Sequence, residues 1–464
     1  MLFSSMTFIF LFLPIVCSIY FLVKDKFKNY ILLFASILFY AWGEPKYLSI
    51  MLLTITINYL GAVWLNKFQK YKKPIVITTI LANLGFLIYF KYFNFIMENI
   101  NTLFTSDFNA IDIIMPIGIS FYTFQAMSYL IDVYRGEVKV QKDILKLALY
   151  ICLFPQLIAG PIVQYSDVDT QIDTREENFN KVIYGIKRFI IGLAKKVLIA
   201  NTLGNLADKV FSQQVSEFTP TIAWIGAIAY SFQLFYDFSG YSDMAIGLGS
   251  IFGFKFLENF NYPYISKSIT EFWRRWHISL SSWFKNYLYI PLGGNRKGTK
   301  RTYFNIFIVF LATGIWHGAS WNFVVWGLWH GMFNIIEKFT GWHKKEGGKV
   351  AFIQHIYTLL IVIVGWVMFR ADNLSIAIAY LKNMFGINST KESLYRFSYY
   401  IDYNEILAFI IATLCAMPIF KNFALPKKNK YIHIALNTWI MILFILSASS
   451  IAASTYNPFI YFRF

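Results

Sequence analysis

Histidine is the clearest candidate for a catalytic residue type in this chain, because there are only six histidines and one lies deep in an apolar run. His317 stands in the segment Gly314-Ile-Trp-His-Gly-Ala-Ser-Trp-Asn322. At a helical rise of about 1.5 Å per residue, it lies roughly 24 Å along the helix axis from Arg301. An ionisable side chain at that depth is by default a candidate for function. The alternative is a structural histidine that hydrogen-bonds between helices.

A second histidine, His277, stands in the aromatic and basic segment Ser268–Leu280. Ser268 and Glu271 have the spacing of a capping box, which predicts that a helix begins there. Helical periodicity then places five residues on one face: Trp273, Trp276, His277, Leu280 and Phe284. The alternative is an interfacial helix whose two arginines, Arg274 and Arg275, extend to the membrane surface.

The chemistry that fits a buried imidazole is general-base catalysis. Burial disfavours the charged ring, so His317 is expected to be neutral. A neutral ring accepts a proton from a hydroxyl that attacks an activated acyl group, help typically worth about 10²–10⁴-fold. The resulting oxyanion needs a donor, which His277, an indole N–H or an amide could supply. A thioester carrier with phosphates would be attracted to basic loops.

Other chemical motifs are weak or missing in the sequence. There is no HExxH, CxxC or G-x-S-x-G, so neither a metal site nor a serine nucleophile is predicted. His330 follows His317 by a spacing that places it some 140° around a continuous helix, so the two would not line one site. Asp237 and Asp243 flank a glycine and are interpreted as buried partners of arginine or histidine.

The elements that hold these residues must lie in a membrane. Hydrophobic residues make up 57% of the 464 residues and charged residues 14%, which excludes a soluble enzyme, a disordered chain and a disulfide-stapled secreted module. The net charge of +17 is interpreted as basic cytoplasmic loops rather than nucleic-acid binding. The composition predicts an all-α polytopic membrane protein.

Apolar runs predict about ten transmembrane helices, the first of them retained rather than cleaved as a signal peptide. The predicted spans are 5–23, 30–43, 48–66, 74–93, 113–133, 219–238, 303–337, 353–369, 404–420 and 432–453. Four apolar but short or interrupted stretches, 144–165, 181–200, 241–256 and 266–290, are predicted to be re-entrant or interfacial. No linker is visible, so residues 1–453 are predicted to form one domain.

Lysine counting predicts the orientation. Basic loops after the first and third spans alternate with a near-neutral loop after the second, which places the N-terminus outside. The basic segments 296–301 and 427–430 are then cytoplasmic. The last span runs outward, so residues 454–464 are predicted to form an extracytoplasmic tail.

The motifs together resemble the membrane-bound O-acyltransferase family, in the branch of bacterial alginate and peptidoglycan O-acetyltransferase membrane subunits. The resemblance covers nearly the whole chain. It is carried by Pro116–Phe121, Phe154–Ile162, Tyr236–Asp243, the Arg-Arg-Trp-His segment Phe272–Leu280, Trp316-His317-Gly318, and Trp366–Ala371. Each motif alone is unspecific, but their combination is highly specific.

The resemblance implies a ring of helices around a tunnel, with His317 as the essential catalytic residue and His277 as its companion. It implies acetyl-CoA as the donor, with Arg274, Arg275, Trp316 and Asn322 as candidate contacts to that donor, and no metal. It further implies a bacterial inner-membrane location, an extracytoplasmic SGNH-type partner and a cell-wall polysaccharide acceptor. Teichoic-acid D-alanylating members share the two histidines but differ elsewhere.

The end of the chain, Asn457–Phe464, resembles the C-terminal tyrosine motif of such export systems. There Tyr461 would carry the acyl group between the membrane enzyme and the partner. Phenol has a pKa of about 10, so an aryl ester remains activated for onward transfer. The alternative is an interfacial aromatic anchor.

Three functions are therefore compared. The leading one is O-acetylation of an exported polysaccharide, with peptidoglycan as first choice and alginate or another exopolysaccharide as the alternative. A transporter or flippase of a lipid-linked sugar would require inverted repeats with broken helices, and none is visible. A non-catalytic assembly scaffold would not need either histidine.

Overall fold

The structure of the protein is a computed structural model that describes residues 1–106, 108–344, 347–387, 389–390, 392–419, 430–454 and 456–460. Every regular element within those ranges is helical, which confirms the predicted all-α class. The α-helices are α1 Leu13–Leu22, α2 Asp25–Gly43, α3 Leu48–Lys67, α4 Lys72–Leu87, α5 Phe93–Phe104, α6 Ile119–Arg135, α7 Ile144–Cys152, α8 Phe154–Leu157, α9 Tyr165–Asp173, α10 Phe179–Ala194, α11 Asn201–Phe211, α12 Pro220–Ile251, α13 Ile269–Arg275, α14 Ile278–Phe284, α15 Thr299–His317, α16 Trp321–Thr340, α17 Gly348–Arg370, α18 Leu374–Met384, α19 Phe397–Tyr400, α20 Tyr403–Cys415 and α21 Lys430–Ala453.

Four of the described helical segments are long and apolar enough to cross a membrane: Pro45–Lys67, Gln69–Phe104, Gly348–Arg370 and Lys430–Ala453. Phe8–Leu22 and Tyr403–Cys415 are apolar but shorter. These segments fit the predicted membrane protein. The full number of about ten spans and the ring around a tunnel stay predictions.

The first of two compact units contains Met1–Phe189 and Ser242–Leu257. Its core includes a phenylalanine cluster in which the rings of Phe8, Phe12 and Phe39 lie 5.5–5.9 Å apart. Phe154 of α8 packs edge-on against Phe12 at 5.5 Å. Within this unit Asp243 forms an ion pair with Arg188 at 2.5 Å, as its interpretation as a buried arginine partner predicted.

The second unit contains Ile190–Tyr241 and Glu258–Phe464 and holds all six histidines. Its core is rich in aromatic side chains, and Trp326, Trp366 and Tyr236 are almost completely buried. The same unit also buries polar side chains, among them His277, His317, His330 and Glu337.

Two predicted helix boundaries are wrong in the same direction. The span predicted at 219–238 and most of the stretch 241–256, predicted to be re-entrant or interfacial, form the single helix α12, which continues through Gly240. The stretch predicted as a short element at 181–200 belongs to a helix that continues from Phe179 to Phe211 through a π-helical turn at Lys195–Ala200. Glycine weakens a helix by only about 1 kcal/mol, and packing overrides that cost here.

The predicted span 303–337 is wrong in the opposite direction, because it is two helices. α15 ends at His317, the backbone is extended at Gly318, and α16 begins at Trp321. A Cβ on Gly314 would lie 2.5 Å from the Phe323 carbonyl oxygen and 3.2 Å from Gly327 Cα. Glycines therefore allow the backbones of α15 and α16 to pack against each other, as small residues do in membrane helix pairs.

Candidate active site

His317 is the last residue of α15, and its side chain is only 6% exposed. Three aromatic rings surround its imidazole, with centroids at 4.9 Å for Trp316, 4.9 Å for Trp326 and 5.2 Å for Phe369. A Cβ on Gly318 would overlap the Phe323 ring, so glycine is required directly after the histidine. The helix end and the glycine together fix the imidazole in an apolar, aromatic cage.

His277 lies at a break in the chain rather than inside one helix. α13 ends at Arg275, α14 begins at Ile278, and His277 between them has a left-handed backbone with φ of 45°. The predicted helix start at Ser268 is confirmed, since its side chain accepts a hydrogen bond from the Glu271 amide at 3.0 Å. The predicted single apolar face through Phe284 is wrong, because the helix is interrupted at the histidine.

The hydrogen bonds of Asn259 determine which nitrogen of His277 carries its proton. Asn259 Oδ1 accepts from the Ser279 amide at 3.1 Å and from the Ser279 hydroxyl at 2.9 Å. His277 Nδ1 lies 3.2 Å from the same oxygen, so Nδ1 is the donor. In the neutral ring, Nε2 then carries the lone pair.

The structure brings the two predicted histidines to one aromatic side chain. The Trp316 ring lies 4.9 Å from the His317 ring and 6.4 Å from the His277 ring. Phe238 of α12 packs on the other side, 4.6 Å from His277. Both imidazoles therefore belong to one cluster, as expected if they act on the same group.

Glu337 of α16 holds the beginning of α13 in place. Its fully buried carboxylate accepts hydrogen bonds from the amides of Ile269 at 2.6 Å and Thr270 at 3.0 Å. A carboxylate at a helix N-terminus satisfies free amides and interacts favourably with the helix dipole. This residue was not predicted from the sequence, although a lone acid directly after the apolar run 321–336 was a visible signal.

His330 lies closer to the site than a continuous helix would allow. Trp326 contacts both His317 and His330, with ring centroids 4.9 and 5.3 Å apart, respectively. The expectation that His330 faces elsewhere assumed one continuous helix, and the break at Gly318 removes that assumption. Neither ring nitrogen of this buried histidine has a hydrogen-bond partner among the described residues.

Asp237 forms a buried ion pair with Lys196 at 2.6 Å. The sequence interpretation foresaw a buried partner for Asp237 but expected arginine or histidine. Lys196 stands in the apolar run 189–200, and a lysine in such a run indicates a buried ion-pair partner. A buried pair of this kind requires further hydrogen bonds to offset its desolvation.

Those further hydrogen bonds come from the C-terminal segment Tyr456–Ile460. The Ile460 amide donates to Asp237 Oδ2 at 2.9 Å, and Lys196 Nζ donates to the Pro458 carbonyl. The Phe459 ring lies 5.0 Å from Tyr241, and both Phe459 and Ile460 are buried. The last described residues thus pack inside the second unit. Tyr461, which follows, lies outside the described residues.

A second polar contact holds the start of this segment. The Tyr456 hydroxyl donates to Asp208 Oδ2 at 2.6 Å, and Asp208 also pairs with Arg370 at 2.6 Å. Burial, together with the hydrogen bond to Asp208, raises the pKa of Tyr456 above its ordinary value. Tyr456 therefore remains a protonated donor.

The four residues predicted to contact acetyl-CoA have different surroundings. Arg274 is exposed, whereas Arg275 binds Glu271 at 2.9 Å and the Asn261 carbonyl at 3.0 Å. Asn322 is buried and donates to the Ala371 carbonyl at 2.7 Å, which ties α16 to the end of α17. Trp316 alone of the four touches both histidines. No cluster of metal-ligating side chains occurs in the ranges that the structure describes.

Comparison with known proteins then decides the family. The sequence profile of the membrane-bound O-acyltransferase family matches residues 139–369. A probable alginate O-acetylase of Pseudomonas putida is 39% identical over 100% of both chains. The chain belongs to the membrane-bound O-acyltransferase family. The protein is accordingly an acyltransferase, which favours this function over the transporter and scaffold alternatives.

Two further relatives show how similarity extends across this acyltransferase. A peptidoglycan O-acetyltransferase of Helicobacter pylori is 35% identical over 100% of this chain and 98% of its own. A teichoic acid D-alanyltransferase of Bacillus subtilis is 32% identical over 50% of this chain and 62% of its own. The family match includes His277 and His317 and ends before the C-terminal segment.

Proposed function

We propose that this acyltransferase moves an acetyl group from cytoplasmic acetyl-CoA to an exported polysaccharide through an acetyl ester on Tyr461. The observation that carries the proposal is the neighbourhood of two adjacent α12 residues. Asp237 binds the Ile460 amide at 2.9 Å, and Phe238 packs 4.6 Å from His277. The same turn of α12 therefore contacts both the backbone that leads into Tyr461 and the imidazole of His277.

In the proposed first step, His317 accepts the phenol proton of Tyr461 as the phenolate oxygen attacks the thioester carbonyl. The C–O bond forms, the C–S bond breaks, and the imidazolium returns its proton to the leaving thiolate. The products are acetyl-tyrosine and free coenzyme A. In the second step, a partner of SGNH type takes the acetyl group for the polysaccharide hydroxyl.

The tautomer of His277 limits its part in this reaction. With its Nδ1 proton directed to Asn259, neutral His277 presents an acceptor at Nε2. It can stabilise an oxyanion only when Nε2 is protonated. Because burial favours the neutral ring, we assign oxyanion stabilisation to an indole N–H such as that of Trp316.

Peptidoglycan is the first polysaccharide to test, and alginate is the second. Relatives with either name align over the whole chain, at 35% and 39% identity, respectively. The test measures the acetyl content of peptidoglycan and of exopolysaccharide, each isolated from cells with and without the protein. Acetyl that depends on the protein in one polymer identifies the acceptor.

The catalytic test replaces His317 by alanine in cells that depend on this protein for acetylation. We expect a loss of at least about 10²-fold in acetyl transfer, the lower end of general-base effects. His433→Ala is the matched control, because His433 is exposed on α21. Normal acetylation by His317→Ala at wild-type protein levels would refute the proposal.

The relay test replaces Tyr461 by phenylalanine, which removes only the hydroxyl. Under turnover with acetyl-CoA, mass spectrometry should find acetyl on Tyr461 in the native protein, and transfer should stop in Tyr461→Phe. Tyr403→Phe is the control, since Tyr403 is 91% exposed. Persistent polysaccharide acetylation in Tyr461→Phe would mean that the acyl group takes another route.

A further inference from the structure

We propose that Asp237 and Lys196 are positioning residues that dock the backbone of the C-terminal segment and so set the depth at which Tyr461 meets the histidines. This inference rests on the proposed relay. It adds a second site to the enzyme, whose ligand is the protein's own peptide backbone. Tyr456–Ile460 is called the docked segment below.

The buried pair of Asp237 and Lys196 binds both a backbone N–H and a backbone C=O of the docked segment. Asp237 accepts from the Ile460 amide, and Lys196 donates to the Pro458 carbonyl. The side chains of Asp237 and Lys196 are 2% and 4% exposed, respectively. One charge pair thus binds an N–H and a C=O two residues apart, which fixes the register of the segment along α12.

The docked segment is also held at its first residue, Tyr456. Tyr456 is bound to Asp208, and Asn201 Nδ2 lies 3.4 Å from the Tyr456 carbonyl oxygen. A segment held at residues 456 and 460 has little freedom to slide. Residue 461 is joined directly to the second attachment point, and consecutive Cα atoms are about 3.8 Å apart.

Burying the ion pair of Asp237 and Lys196 carries a desolvation cost. A buried ion pair seldom adds net stability compared with apolar residues of the same size. Its presence is explained if it recognises backbone polar groups that would otherwise enter the interior without partners. Asp237 and Lys196 do this for the segment that precedes the acyl-carrying residue.

The test uses the full chain with Asp237→Asn, which keeps the size and one acceptor oxygen but removes the charge. Docking is measured by maleimide labelling of Ile460→Cys in a background without the native cysteines. We expect slow labelling when Asp237 is present and a rise of several-fold in Asp237→Asn. The rate of Tyr461 acetylation, measured in the parent background, should fall by about tenfold or more, with the KM for acetyl-CoA unchanged.

Asp243→Asn is the matched control. Asp243 lies on the same helix, is also buried and is paired with Arg188 instead. It should leave the labelling of Ile460→Cys and the acetylation of Tyr461 near the native values. Equal effects of Asp237→Asn and Asp243→Asn would show a general loss of structure and would overturn the positioning role.

A second variant covers the case in which a lone buried lysine prevents folding. The double variant Lys196→Gln with Asp237→Asn removes both charges together, so neither is left unpaired. It should fold and show the same rise in labelling and loss of Tyr461 acetylation. Native labelling and acetylation in this double variant would refute the proposal.

The outcomes separate this inference from the proposed function. If Tyr461→Phe still acetylates polysaccharide, the relay fails whatever the labelling shows. If acetyl is found on Tyr461 but labelling of Ile460→Cys is unaffected by Asp237→Asn, the relay stands and the docking role fails.

Discussion

At the scale of single residues, the site depends on how each imidazole is oriented. His277 has a left-handed backbone that is unfavourable for a residue with a Cβ, and such strain is retained only where the surroundings enforce it. Asn259 provides part of that enforcement by binding both Nδ1 and the two donors of Ser279. The amide thus sets the tautomer as well as the position.

Asn259→Ala should therefore lower acetyl transfer more than it lowers protein level. Without the amide oxygen, the His277 ring loses the acceptor that holds its Nδ1 side in place, and we expect a loss of about ten- to hundredfold, corresponding to about 1.4–2.7 kcal/mol. The rate of transfer from acetyl-CoA, measured at equal protein concentration, checks this. Ser279→Ala removes only one donor to Asn259 and should cost much less. Equal losses in the two variants would contradict the positioning of His277 by Asn259.

At the scale of helices, the break between α15 and α16 creates the site. Because α15 ends at His317, the imidazole lies at a helix terminus and contacts Trp326 of the next helix. The close approach of the two helices depends on glycines whose added Cβ would meet backbone atoms. Space at these glycines is thus a condition for the aromatic cage around His317.

Gly314→Ala is predicted to destabilise the protein by about 1–3 kcal/mol, the usual cost of overpacking. Its Cβ would lie 2.5 Å from the Phe323 carbonyl oxygen, so the helices must separate. Thermal unfolding in detergent and acetyl transfer should both report the change. Gly85→Ala on α4 is the control, since a Cβ there meets nothing within 4 Å. It should be neutral or stabilising by up to about 1 kcal/mol. An unchanged melting temperature in Gly314→Ala would argue against close packing as a requirement.

At the scale of the whole molecule, the proposed function requires access from both sides of a membrane. The donor in the proposed reaction is cytoplasmic and the polysaccharide is outside, so the orientation of the chain decides whether the reaction is possible. Basic loops predict that residues 296–301 face the cytoplasm and that the loop containing Asp112 faces out. Both Lys297 and Asp112 are exposed and suited to chemical labelling.

Single cysteines at these two positions test the orientation in a background without native cysteines. An impermeant maleimide should label Asp112→Cys in intact cells, and Lys297→Cys only after the membrane is permeabilised. The positive-inside bias explains the expected difference, because translocating basic segments is unfavourable. Labelling of Lys297→Cys in intact cells would invert the topology and place the acetyl-CoA side outside. That result would be incompatible with the proposed donor.

The amino-acid sequence alone determined the class of protein and the candidate reactive residues. Low charge content and long apolar runs are bulk properties that do not depend on the fold, so the membrane assignment and the all-α class followed from them directly. The motifs around His317 and His277 are local, and a local motif is readable without knowing its neighbours. The capping box at Ser268 was predictable for the same reason.

Only the tertiary structure decided where helices break and which distant residues meet. Periodicity shows which face of a helix is apolar, but it does not show that packing carries α12 through Gly240 or that α15 stops at His317. The contact between Asp237 and Ile460 joins residues 223 positions apart, and no local pattern encodes such a pairing. Burial makes these few polar contacts strong, because a buried charge or amide must find a partner somewhere in the fold. The sequence therefore supplied the reactive groups, and the packing of distant segments determined their orientation.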